Sequence, residues 1–135
     1  MKTTVNSDSQ LQTEAAGGPE GQIQVARIGS ALIMLRNSGS GWTVFRRYNR
    51  TDMPSTLQAG LTVYADYARA SQLPAKAHNG TVIRDGNPDL IAQFDYVRYR
   101  RPKVLASLRD KNFADPGSVS DSQLLTFLGE APAAK

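Results

Sequence analysis

The sequence predicts an all-β, antiparallel fold closed by one short helix, and three observations carry that prediction. Apolar residues recur at every second position in several short windows, the period of a half-buried strand. Clusters of Gly, Asn, Ser, Asp and Pro separate those windows at residues 37–41 and 49–55, where they end strands and make turns. Helix start and stop signals gather in one place only, "SDSQLLTFLG" at residues 120–129.

Residues 1–21, "MKTTVNSDSQLQTEAAGGPEG", are polar and end in a Gly-Gly-Pro-Glu-Gly loop signal, so they are expected to form a flexible N-terminal segment. "QIQVARIG" alternates Ile23 and Val25 with Gln22, Gln24 and Arg27, which predicts a short strand burying the first pair. "SALIMLR" is apolar without a break and is closed by the turn "NSGSG". "WTVFRRY" is its hairpin partner, with strict alternation placing Trp42, Val44 and Arg46 on one face and Thr43, Phe45 and Arg47 on the other. "NRTDMPS" turns again, and Pro54 bars a central-strand position there. "TLQAGLTVYADYAR" alternates over the longest stretch, with Leu57, Ala59, Leu61, Val63 and Ala65 on one side.

Residues 68–89 form a long irregular connection, of a length more often functional than merely connecting. "LIAQFDYVRYRR" follows as a strand apolar on both faces, ended by Pro102. In the last segment Ser120 is the expected N-cap, Gln123 closes a capping box, and Gly129 stops the helix. The expected organisation is therefore the N-terminal segment, a β region over residues 22–103, and a C-terminal extension over 104–135 carrying the helix.

With 135 residues, 40% hydrophobic and 21% charged, the chain is expected to be one globular, soluble domain with a modest core. It contains no cysteine, which excludes a disulfide framework and a thiolate metal site. No window reads as a membrane span, and the polar start lacks an apolar signal region.

The net charge is +4, with the excess in "FRRYNR" and "VRYRRPK". Arg46, Arg47, Arg50, Arg98, Arg100, Arg101 and Lys103 interleave with Tyr48, Tyr96 and Tyr99, the ingredients of a single-strand nucleic-acid groove. The preferred reading is an outward row of arginines whose stems cover apolar neighbours and discourage edge pairing. A nucleic-acid binder of this size carries a larger positive excess.

"GWTVFRRYNRTDMPSTLQAGLTVYADY", followed after the long loop by "PDLIAQFDYVRYRRP", resembles the C-terminal half of a concanavalin A-like (laminin G-like) jelly-roll domain of secreted bacterial proteins. The strand pattern lies at Leu57 to Tyr64, and the final-strand pattern at Ala92, Phe94, Asp95 and Val97; "ARIGSALIMLRNSGSGWTVF" is similar to the family's hairpin. The resemblance implies an antiparallel β-sandwich, a secreted or cell-surface location, and carbohydrate as a ligand. Such a domain stacks a dozen or more strands in two sheets, whereas this chain offers about five. The expected sandwich is thus incomplete, and its apolar face needs another chain, most simply a second copy in a homodimer.

Catalysis is not the expectation. Glycosidases of this fold set two carboxylates about 5 Å apart across one bond, but Glu14, Glu20 and Glu130 are unpaired in the sequence, and Asp66 and Asp95 stand alone. The single histidine, His78, lies in the loop "AKAHNG", a poor seat for a triad base. For metal, Asp85, Asn87 and Asp89 in "DGNPD" offer oxygens at alternating positions, a pattern suited to Ca²⁺. The same residues make an ordinary tight turn, and the turn reading is preferred. Asn49-Arg50-Thr51 and Asn79-Gly80-Thr81 are acceptor sequons in a eukaryotic secretory route.

Two functions are expected from these features. The first is a non-catalytic carbohydrate-recognition module using Trp42, Arg47, Tyr48, Tyr64 and Tyr67, since sugar CH faces stack on flat rings while arginine bonds their hydroxyls. Trp42 and Tyr64 read equally as core residues. The second is an assembly module whose ligand is another protein chain, with Leu124, Leu125, Phe127 and Leu128 packing the C-terminal helix as a latch.

Overall fold

The structure, a computed structural model, describes residues 2–5, 8–11, 18–61, 67–74, 77, 80–87 and 91–129. Chain contacts divide it into two units: Met1–Ala15 with Gln58–Arg98, and Ala16–Leu57 with Tyr99–Lys135.

The second unit is built on a three-stranded antiparallel sheet. Strands β3 (Gln22–Ile28), β4 (Ala31–Asn37) and β5 (Trp42–Asn49) lie in the order β3-β4-β5. Two tight connections set the register. Gly29 takes φ 59°, the positive value that a two-residue hairpin needs at its first turn position, and Ile28 then faces Ala31. At the other turn the Asn37 side-chain oxygen accepts the Gly39 and Gly41 amides at 2.9 and 3.1 Å, folding "NSGSG" back on itself.

The register decides which residues are inside: it sets the faces of β3 opposite to those expected, and it breaks strict alternation once, in β5. Gln24 pairs with Leu35 and Ala26 with Ile33, so Gln22, Gln24 and Ala26 face the covered side. Ile23 and Val25, predicted to be buried, face outward and are 79% and 56% exposed. In β5 the pairing slips between Met34 and Leu35: Arg46 faces Met34, while Val44 faces Leu35. That bulge consumes Phe45 and flips the strand's faces beyond it. Trp42, Val44 and Arg47 therefore share the inner side, and Arg46 and Tyr48 the outer one, which corrects the predicted grouping of Arg46 with Trp42.

The inner side is covered by the C-terminal segment rather than by a second sheet. A 3-10 turn, Ala106–Leu108, and helix α2, Asp121–Leu128, bring Leu108, Phe113, Val119, Leu124 and Leu128 onto Ala26, Ala31, Ile33 and Leu35. Ile33, Val119 and Leu124 are wholly buried, and each such side chain contributes about 1.5–3 kcal/mol. Phe113 and Phe127 meet edge to face with centroids 6.3 Å apart. The start of α2 is the predicted capping box: the Ser120 hydroxyl accepts the Gln123 amide at 3.2 Å, and the Gln123 side chain accepts the Ser120 amide at 2.8 Å. Gly129 caps the other end, where a Cβ would lie 2.9 Å from the Leu125 carbonyl. Arg100 donates to the Leu128 carbonyl at 2.7 Å, satisfying one orphan acceptor of the last turn.

In the first unit, β1 (Lys2–Val5) and β2 (Asp8–Leu11) form an antiparallel hairpin within the polar N-terminal segment, where the sequence predicted no element. Helix α1 (Tyr67–Ala70) occupies the end of the predicted strand "TLQAGLTVYADYAR". Residues 56–61 of that stretch form no strand with any other described residues, and residues 62–66 lie outside the described residues. Residues 91–101 likewise form no strand among the described residues, and Ile91, Phe94, Val97 and Tyr99 are 50–90% exposed. Alternation makes both stretches fit for a sheet, and a ladder needs a neighbouring strand that the described residues do not set beside them.

Candidate interaction surface

Two of the predicted ligand residues serve the interior of the second unit. Trp42, at the start of β5, is half-buried and packs against the core, the alternative that its sequence context left open. Arg47 is inside because of the bulge, with a side chain only 7% exposed. It donates to the Phe113 carbonyl at 3.3 Å and the Val119 carbonyl at 2.5 Å, and forms an ion pair with Asp121 in the first turn of α2. One guanidinium thus fastens the C-terminal segment to the sheet, using the planar fork that suits several acceptors at once.

Tyr48 is on the outer face, opposite Leu32. Its neighbours there are apolar and cationic. Val25 on β3 stands opposite Met34 on β4, Ile23 opposite Arg36 and Arg27 opposite Leu32, and Arg46 and Arg36 lie over the Phe45 ring at 5.0 and 4.8 Å from its centroid. Arg27 reaches from this face to the loop after β5, donating to the carbonyls of Met53, Pro54 and Ser55 and to Gly29. Just before that loop, Arg50 grips Asp52 through two parallel bonds of 2.8 Å, which hold the Asp52 carboxyl below the usual carboxylate range. Strands β3 to β5 hold four arginines and no carboxylate.

The other predicted residues belong to the first unit or lie outside the described residues. Tyr64, Asp89 and His78 are outside them, and Tyr67 opens α1. Asp85 is exposed, and its carboxylate and carbonyl both receive the Arg69 guanidinium, at 3.2 and 2.8 Å. A cation at "DGNPD" would have to displace that arginine from Asp85. Among the described residues no three His, Asp or Glu side chains gather as a metal site. Trp42, Arg47 and Tyr48 thus do not form one patch: the first two point into the core and the third away from it.

Sequence reasoning missed Ile23 and Val25 as surface residues. The available signal was the pair Gly29-Ser30, which as a two-residue turn fixes Ile28 opposite Ala31 and, by alternation, puts Ala26 rather than Val25 on the side of Ile33. Comparison with known protein families, curated proteins and solved structures finds no match to this chain. Among the described residues, no helix is long and apolar enough to cross a membrane.

Proposed function

We propose that the chain is a non-catalytic assembly module: its three-stranded sheet is one layer of a β-sandwich, and another protein chain, a second copy of this one, supplies the layer on its outer face. The observation that carries this reading is the exposure of Ile23 and Val25 at 79% and 56% on a sheet whose opposite face is already filled. A sheet with apolar side chains on both faces stacks between two layers, and a facing sheet at about 10 Å fits such a surface, with the arginines of the outer face at its rim. The test is sedimentation of the purified chain between about 1 and 100 µM, since association by mass action grows with concentration. Wild type is expected to associate, and the double variant Ile23→Thr, Val25→Thr to sediment as a folded monomer. A wild-type chain that stays monomeric throughout overturns the reading.

Carbohydrate recognition is the second reading, favoured by the position of Tyr48 on the outer face beside Arg46. Retention on a polysaccharide column that Tyr48→Ala abolishes would support it; no retention on any glycan would remove it.

A further inference from the structure

The edge that β3 leaves open among the described residues carries an inference about a second contact of the same assembly, made at the sheet's edge rather than on its outer face, and it rests on the assembly reading. The sheet order leaves β3 and β5 at its two edges. Natural edges are guarded by bulges, prolines, inward charges or covering segments. β5 is guarded by the bulge at Phe45. β3, "QIQVARI", has seven paired residues in regular register with β4 and no proline or bulge.

The hairpin geometry says which backbone groups face outward. The pair flanking a two-residue loop exchanges both hydrogen bonds, and the pattern then alternates along the ladder. Ile28, Ala26, Gln24 and Gln22 therefore spend their amides and carbonyls on β4. The amides and carbonyls of Ile23, Val25 and Arg27 point away from the sheet. These positions include the two side chains most exposed on this strand.

We propose that β3 pairs antiparallel with β3 of a second copy of this chain about a twofold axis at Val25. An antiparallel edge related to itself by a twofold is self-complementary, because each copy offers the same alternating donors and acceptors to the other. The pairing continues the sheet from three strands to six. Val25 meets its own copy at the centre, and Ile23 lies opposite the second copy's Arg27, whose methylene stem covers it. The two Arg27 side chains are kept apart by the length of the paired segment, so no like charges face each other directly. Gln24 and Ala26, on the inner side, lie across from one another in the same register.

Residue-resolved amide exchange, read with the sedimentation state, tests this. In the concentrated dimer the amides of Ile23, Val25 and Arg27 should exchange at least about tenfold slower than in the dilute monomer, while Gln24 and Ala26 are protected in both. Val25→Pro provides the second arm. It removes an outward amide that β4 does not use, a position where an edge strand tolerates proline, so the variant should keep the wild-type circular dichroism and sediment as a monomer. Ala26→Pro, which removes an inward amide, should lose the fold. A dimer whose amides at 23, 25 and 27 exchange as fast as in the monomer, or one that survives Val25→Pro, overturns the β3 pairing and leaves the assembly reading standing. A chain that never dimerises overturns both.

Discussion

At the scale of a single residue, Arg47 shows how a side chain that looks like a ligand group becomes a fastener. Its position in "FRRYNR" marked it as basic and near aromatics, which fits a surface arginine equally well. What sends it inward is one extra residue in β5, and no local pattern in "WTVFRRY" announces a bulge. Inside, the guanidinium holds two main-chain carbonyls of the C-terminal segment and the Asp121 carboxylate. Replacing it with methionine keeps most of the stem volume and removes every donor. Two carbonyls in a mostly buried setting then lose their partner, at about 1–3 kcal/mol each where water cannot replace it. The Asp121 arm adds little, because that carboxylate is 59% exposed and solvent screens it. Arg47→Met is expected to lower the unfolding free energy from urea titration accordingly, whereas Asp121→Asn changes it by less than about 1 kcal/mol. Equal losses in the two variants would show that the ion pair, not the carbonyl contacts, fastens the segment.

At the scale of elements, legibility followed how local each determinant is. The capping box at Ser120 and Gln123 and the turn at Asn37–Gly41 are closed within four residues, and both form as the sequence predicted. The short strands flanking that turn were legible for the same reason. The face of β3 was not, because β4 is apolar on both sides and Leu32, Met34, Ile33 and Leu35 offer no preference to a neighbour. Burial of Ile23 and Val25 would have satisfied the alternation rule equally well; hairpin register overruled it. Stretches 56–61 and 91–101 form no strand among the described residues for a different reason, since a strand pattern specifies an edge to pair with that the pattern itself does not contain. Of the predicted sites, Asp85 and Asn87 formed a turn-like loop in which Arg69 takes the carboxylate, a partner sixteen positions away that spacing alone could not supply. The cap itself gives a clean element-level measurement. Ser120→Ala removes the acceptor of the Gln123 amide and should cost about 1 kcal/mol in chemical denaturation, and Ser120→Asp should restore most of it. No change in the alanine variant would mean that packing of Leu124 and Leu128, not the cap, fixes where α2 begins.

At the scale of the whole molecule, the C-terminal segment is part of the fold's minimum rather than an appendage to it. The core of the second unit draws Ala26, Ala31, Ile33 and Leu35 from the sheet, and Leu108, Phe113, Val119, Leu124 and Leu128 from residues more than fifty positions later. Neither set can bury itself. A lone three-stranded sheet cannot cover the face that carries Ala26, Ala31, Ile33 and Leu35, and a segment with one eight-residue helix has no second layer of its own. The five C-terminal side chains together represent about 8–15 kcal/mol of apolar burial. That matches the roughly 5–15 kcal/mol by which a domain of this kind exceeds its unfolded state. Ending the chain after Lys103 is therefore expected to abolish the cooperative unfolding of this unit, with loss of amide dispersion for residues 22–49 and a melt without a sigmoidal step. Adding residues 104–135 back as a separate peptide should restore the transition in proportion to peptide concentration, as binding to the folded form alone requires. A truncated chain that still melts cooperatively on its own would mean that Ile33 and Leu35 find cover elsewhere, and that the sheet needs no C-terminal layer to exist.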